Sequence, residues 1–355
     1  MKIGIPLEIK PREQRVALLP AAVAELAALG HEVFVQSGAG RGSGYEDAAY
    51  TAAGASVVSD AESLYGEARL VVKVKEPMPA EYPLLREDHL LFSYLHLAAY
   101  PELTDHLQQI GLTALAFETL LVDNNLPLLA PMSDVAGRLA VQIGTTLLYA
   151  TQGGKGLLLG GLPAAERGNV VIIGAGNAGS NAAIVAQSIG ANVTVFDRKR
   201  EKMLRVRQFG PNVSGLYPYP DAVATAVASA DLLIGAVLIP GARAPHVVSR
   251  AMVASMQPGS VIVDIAVDQG GCVETTRATD YSAPTFVEEE VIHFGVTNMP
   301  AAVPRSASQA LSAEVFPYVK LLLEEGLLPD GALATAINVQ QGRIVHPAVA
   351  ESLSH

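Results

Sequence analysis

The sequence predicts an α/β protein of two doubly wound, largely parallel sheets with a cleft between them, the first domain being discontinuous. Three observations lead there. Short apolar runs alternate with helical patterns along most of the chain, and that alternation builds βαβ units. At 355 residues the chain exceeds what one hydrophobic core usually holds. Its last stretch, 304–355, is too short for a third domain and is expected to return to the first. The expected division is 1–129, 130–303 and 304–355.

Taken in order, residues 2–7 read as a strand. Pro20 opens a helix that ends near Gly30, residues 31–36 form a second strand, and 38–44 are rich in turn residues. Further strands are expected at 55–58, 70–75, 90–95 and 113–117. Around Pro127 to Pro131 the pattern changes, and Ser133 is the expected cap of a long helix running towards Tyr149. After the glycine-rich stretch 153–161, a second series places strands at 170–173, 193–196, 232–237 and 261–265. Residues 208–230, with Pro211, Pro218 and Pro220, resist assignment. An amphipathic helix at 310–325 and a short one at 347–353 close the chain. No solenoid repeat or low-complexity tract interrupts it.

Composition narrows the function classes. Half the residues are hydrophobic and 17% are charged, which suits a well-buried globular protein. A net charge of −11 argues against nucleic acid as a partner. The single cysteine, Cys272, excludes an intrachain disulfide and suits a reducing cytosol. Residues 1–6 resemble a strand rather than a signal peptide. The richest apolar stretch, 139–150, is broken by Gln142, Gly144, Thr145 and Thr146, so it is no membrane span. The expectation is a soluble cytoplasmic protein.

The strongest local signal is a dinucleotide fingerprint. A buried-strand run at 169–173 feeds Gly174-Ala175-Gly176-Asn177-Ala178-Gly179, a small-residue helix follows, and a second strand finishes on Asp197. Gly174 makes the tight turn, Gly176 admits a pyrophosphate to the backbone, and Gly179 lets helix and strand pack closely. The helix start supplies unpaired N–H groups around Ala178 for phosphate. Asp197 is placed to accept from ribose hydroxyls and to repel a 2′-phosphate, which selects NAD. Arg198, Lys199 and Arg200 follow it and would tolerate NADP. A glycine-rich turn without a ligand would not need all these parts in register. The expectation is therefore a Rossmann-like domain that binds NAD.

The first domain offers a second constellation. Arg15 follows the first strand, Lys73 and Lys75 share one face of a strand, and His96 ends the run 90–95. Ligands of open parallel sheets gather beyond the strands' carboxyl ends. Two cations and a histidine suit a 2-oxo acid: Arg15 for a carboxylate, Lys75 for a carbonyl, His96 as acid or base. Each alone reads more simply as a solvated loop arginine, a solvated strand-end lysine or a structural histidine. In the second domain Asp264 and Asp268 are both candidates for a carboxylate beside the nicotinamide. Cys272, between Gly271 and Val273, reads as a small packing residue.

Several segments then become familiar. Gly4-Ile5-Pro6, Arg15-Val16-Ala17-Leu18 with Pro20, and Gly38-Ala39-Gly40 resemble the amino terminus of the alanine dehydrogenase and nicotinamide nucleotide transhydrogenase family. Lys73-Val74-Lys75-Glu76-Pro77, Tyr94-Leu95-His96-Leu97-Ala98, Leu128-Leu129-Ala130-Pro131-Met132-Ser133 and Asp264-Ile265-Ala266-Val267-Asp268-Gln269-Gly270-Gly271 resemble its alanine dehydrogenase branch. Asn298-Met299-Pro300 and the closing 342–350 fit too, so the likeness runs through the whole chain in order. It implies L-alanine, pyruvate and ammonium as small-molecule substrates, with Arg15 and Lys75 binding pyruvate. It implies that His96 and Asp268 handle protons. It places Ser133, Asp197, Lys202, Val237, Leu238, Asn298 and Met299 against the cofactor, and implies a homohexamer whose domains close on the substrate. Neighbouring readings are the NAD-binding subunit of a proton-translocating transhydrogenase and a dehydrogenase for a larger amino acid. The Tyr94-Leu95-His96-Leu97 arrangement favours alanine dehydrogenase over the transhydrogenase subunit, while the size of the amino acid is not encoded in the motifs.

Overall fold

The computed structural model describes residues 1–237, 244–328 and 330–353. It divides into two compact units, Met1–Met132 with Ala301–His355, and Ser133–Pro300. Each is an α/β unit built on one sheet.

The first unit takes its parallel strands from β1 (Lys2–Ile5), β2 (Glu32–Gln36), β3 (Ser56–Val58), β4 (Leu70–Val72), β5 (Leu90–Ser93) and β6 (Thr113–Ala116). Their order is β3-β2-β1-β4-β5-β6, so the direction of winding reverses between β1 and β4. The second unit repeats the plan with β7 (Asn169–Ile173), β8 (Asn192–Phe196), β9 (Val213–Leu216), β10 (Leu232–Gly235) and β11 (Val261–Asp264). Two more strands, β12 (Thr285–Glu288) and β13 (Val291–Phe294), complete the order β12-β13-β11-β10-β7-β8-β9, with only β12 antiparallel. Its reversal lies between β7 and β10. Central strands such as β10 and β11 are buried along their whole length, as expected where helices cover both faces of a parallel sheet.

The carboxyl-terminal segment belongs to the first unit. Its strand β14 (Ile337–Gln340) pairs antiparallel with β6, and β15 (Arg343–Ile344) pairs with β14. The helix Pro304–Glu325 buries Ala307, Leu311, Val315, Val319 and Leu322 in the core that holds Ile3, Ile5 and Leu18. Ser308 Oγ accepts from Val16 N–H at 2.9 Å, and Ser312 Oγ accepts from Leu19 N–H at 2.9 Å.

Two local expectations need correction, and two stretches carried none. The strand expected to reach Lys75 ends at Val72. On its β1 side the ladder stops because Pro6 has no N–H to extend it, and Glu8 Oε1 takes the Val74 N–H at 2.5 Å. Ser133 is not a cap, since the long helix runs Ala130–Leu147 and Ser133 sits in its first turn. The unassigned stretch 208–230 holds edge strand β9 and a helix, Pro220–Ala228, with proline at its tolerated first position. The β12–β13 hairpin was also unread. Its turn puts Glu289 and Glu290 at positive φ, where glycine or asparagine is the usual signal.

Candidate active site

The reversal between β1 and β4 gathers the first set of candidates. Arg15 is buried, with Nε 2.7 Å from Glu13 Oε1 and Nη2 2.6 Å from Glu13 Oε2. Its Nη1 lies 2.9 Å from Met132 Sδ. Burial works against the guanidinium charge, but the Glu13 carboxylate outweighs it and holds the pKa above the ordinary value. Glu8 and Tyr94 also stand close enough to favour that charge. A cavity of about 420 Å³ is lined by Glu8, Glu13 and Arg15 with Ser37, Gly38 and Arg41.

Lys73 and Lys75 part company in the structure. The Lys73 ammonium is sealed in the core, 2.7 Å from both oxygens of Glu81 and 3.7 Å from Glu8 Oε2. It is a structural cation. Lys75 Nζ stands 3.5 Å from Glu76 Oε2, and Glu76 also pairs with Lys10. Glu8 accepts from the N–H groups of both Val74 and Lys75. Burial raises its carboxyl to about 7, although Lys73 opposes the rise.

His96 follows β5 in the left-handed region, φ 49°. That conformation is strained for a residue with a Cβ, and Glu118 holds it by accepting the His96 N–H at 2.6 Å and the Leu95 N–H at 3.2 Å. The imidazole Nδ1 is 3.9 Å from Glu118 Oε1, and its side chain is 38% exposed, so the ring meets solvent. The ring lies nearly parallel to that of buried Tyr94, whose hydroxyl donates to Leu128 O at 2.5 Å. Arg15, Lys75 and His96 are thus tied to one edge through Glu8, Glu13 and Tyr94. Sequence reading quoted Tyr94 only as part of a motif and missed Glu8 and Glu13. None sits at a spacing that distinguishes it from an ordinary buried or loop residue.

The second unit presents the dinucleotide loop at its own reversal. Gly174 has φ 104°, and a Cβ there would meet Ala236 O at 2.5 Å. A Cβ on Gly179 would stand 1.8 Å from Gly174 O, so only glycine allows this approach of helix to strand. At Gly176 the same position is open for 4 Å, room for a pyrophosphate at the start of helix Asn177–Ser188. Ala178 lies in the first turn and packs against Gly137 of the long helix. Asp197 ends the β8 run, accepts from Ala175 N–H at 2.8 Å and Lys199 N–H at 2.9 Å, and has Lys202 Nζ at 3.6 Å. These features fit a nicotinamide dinucleotide.

The remaining candidates lie on the same unit. Val237 follows β10 beside Gly174, and Leu238 lies outside the described residues. Ser133 is half-buried. Asn298 has φ 61°, a region asparagine tolerates, and buried Met299 accepts from the Tyr281 hydroxyl at 2.8 Å. The two acids expected near the nicotinamide separate cleanly. Asp268 is exposed on the 3-10 turn Ile265–Gln269. Asp264 is 1% exposed, with its carboxylate committed to backbone N–H groups.

Residues 4–136 match the model for "Alanine dehydrogenase/PNT, N-terminal domain", and residues 140–347 match that for "Alanine dehydrogenase/PNT, C-terminal domain". The chain is 47% identical to the alanine dehydrogenase of Bacillus subtilis (strain 168), over 100% of this chain and 95% of that one. Among solved structures, an L-alanine dehydrogenase superposes with TM-score 0.96 at 51% identity, covering 100% of this chain and 99% of that one. A transhydrogenase from Sinorhizobium meliloti superposes with TM-score 0.85 at 27% identity, covering 98% of this chain and 100% of that one. The geometry of both units and these full-length likenesses agree: the chain belongs to the alanine dehydrogenase/PNT family.

Proposed function

We propose that the protein is an NAD-dependent L-alanine dehydrogenase, which converts L-alanine, water and NAD⁺ to pyruvate, ammonium, NADH and a proton, reversibly. The observation that carries this reading is the 47% identity to an alanine dehydrogenase along the entire chain.

Gly174, Gly176, Ala178, Gly179 and Asp197 would hold the dinucleotide, helped by Ser133, Lys202, Val237, Leu238, Asn298 and Met299. When bound it supplies the hydride acceptor. The open side of Gly176 supports this assignment. The carboxylate of Asp197 supports NAD over NADP by repelling a 2′-phosphate.

Arg15 binds the substrate carboxylate through its guanidinium, whose planar fork matches a carboxylate. Glu13 fixes the orientation of the guanidinium through two hydrogen bonds. Lys75 directs its ammonium to the 2-oxo oxygen of pyruvate and stabilises negative charge there. His96 moves the proton as water adds to the imine carbon and ammonia leaves, and its exposed ring can exchange that proton with solvent. Asp268 serves as the second acid–base group. We further assign a homohexamer in the cytoplasm, without membrane or nucleic-acid partners. Among the described residues no helix is long and apolar enough to cross a membrane, and light scattering should give a mass near six times the 37.1 kDa chain.

The test is the loss of absorbance at 340 nm with NADH, ammonium and pyruvate, repeated with NADPH, glyoxylate and 2-oxoglutarate. Turnover should need both ammonium and pyruvate, favour NADH, and fall by about 10²–10⁴-fold in His96→Ala. Tight NADH binding with no turnover would instead favour a transhydrogenase-type nucleotide-binding subunit, the reading that the Sinorhizobium meliloti likeness offers.

A further inference from the structure

The buried carboxylate of Asp264 has no part in the chemistry above, yet its surroundings are built for it. It ends β11 and accepts at both ends of one loop. Oδ1 takes the Ala266 N–H at 3.0 Å, and Oδ2 takes the N–H groups of Cys272 at 2.9 Å and Val273 at 3.1 Å. The loop between those donors carries Asp268 on its exposed side. Two glycines clear the space. Gly235 lies opposite Asp264 in the β10–β11 register, and a Cβ there would come within 2.4 Å of Oδ1. A Cβ on Gly271 would come within 2.8 Å of Oδ2.

A carboxylate taken out of water is costly unless hydrogen bonds replace the lost hydration. Burial pushes the Asp264 carboxyl upward, and the Val273 N–H, the Thr276 side chain and the Cys272 and Ala266 N–H groups oppose it. A turn that only needed closing would be served by backbone bonds alone, and it has those as well: Gly270 N–H to Val267 O at 3.0 Å and Gly271 N–H to Ala266 O at 3.0 Å.

We infer that Asp264 is a positioning residue, clasping the two ends of the loop 265–273 so that Asp268 is held in one place for proton transfer. This rests on the role given to Asp268 above. The clasp acts through geometry rather than by touching substrate.

The experiment compares Asp264→Asn, Gly235→Ala and Asp268→Asn with the parent protein. Asparagine keeps the shape but turns a donor amide towards donor N–H groups. Alanine at 235 keeps the carboxylate and pushes it aside, so a poorly folding D264N does not end the test. Without cofactor, the Ala266, Cys272 and Val273 amides should exchange at least about tenfold faster in D264N and G235A. With substrates, both should lose about tenfold or more in kcat, and the limb of the pH–rate profile that D268N abolishes should move. Amide exchange within about twofold of the parent overturns the clasp. So does an unmoved pH limb in a folded variant whose loop has loosened. If D268N itself turns over normally, the role of Asp268 fails instead. The exchange data then still report whether the loop is held, so the two failures are distinguishable.

Discussion

Glu8 shows how one buried side chain couples stability to pH. It sits between Lys73, which favours its charge, and Glu13 and Glu81, which oppose it, while Val74 N–H donates to it. Burial wins, and its carboxyl rises from 4.5 to about 7. The folded state therefore holds this proton more tightly than the unfolded chain does. Stability from this group falls as pH rises from about 4.5 to 7, and above that the penalty is roughly 3 kcal/mol. In Glu8→Gln that slope should vanish. The variant's melting temperature should gain on the parent between pH 5 and pH 8, and parallel curves would refute the assignment. Nothing near Glu8 in sequence announces this. Its partners lie at positions 73, 74 and 81, and only the β1–β4 reversal brings them together.

Among the elements, the strand–loop–helix around Gly174 is the one whose chemistry was written locally. Its requirements are steric and lie within a few residues of each other, so the glycine spacing alone exposed them. Gly179→Ala would drive a methyl into Gly174 O, forcing helix Asn177–Ser188 away from β7. We expect a loss of about 1–3 kcal/mol in thermal unfolding and at least about tenfold weaker NADH binding by fluorescence titration. Gly66, inside helix Ala61–Glu67 with open space beside it, provides the contrast. Gly66→Ala should gain up to about 1 kcal/mol and leave NADH affinity unchanged. Strand ends were harder to read. The β4 ladder stops where Pro6 offers no N–H, and a glutamate two residues on takes over. The β12–β13 turn uses two glutamates at positive φ, an arrangement with no sequence signal. Glu288, which ends β12, and Glu289 in the turn itself both pair with Arg250.

At the scale of the whole molecule, the chain leaves the first unit, builds the second and returns, and the return completes a core. Removing 304–355 would strip Leu311, Val315, Val319 and Leu322 from that core and β14 from the edge of β6. At about 1.5–3 kcal/mol per large apolar side chain, the loss rivals the 5–15 kcal/mol that typically holds a protein folded. A 1–303 protein should leave amides of β1, β4 and β5 unprotected in hydrogen exchange, and persistent protection there would show the tail to be dispensable. By itself the sequence determined the two α/β units, the discontinuity of the first, the dinucleotide loop and the identity of Arg15, Lys75 and His96 as candidates. Those rest on periodicity, on local steric demands and on residue chemistry, all of which are encoded over short spans. Only the tertiary structure decided that Lys73 is a sealed structural cation held by Glu81 while Lys75 pairs with Glu76. It also decided that Arg15 is held by Glu13, and that of two acids four residues apart Asp264 is buried against backbone while Asp268 is exposed. Burial and hydrogen-bond partners depend on what the fold brings in from distant positions, and spacing along the chain carries no record of them.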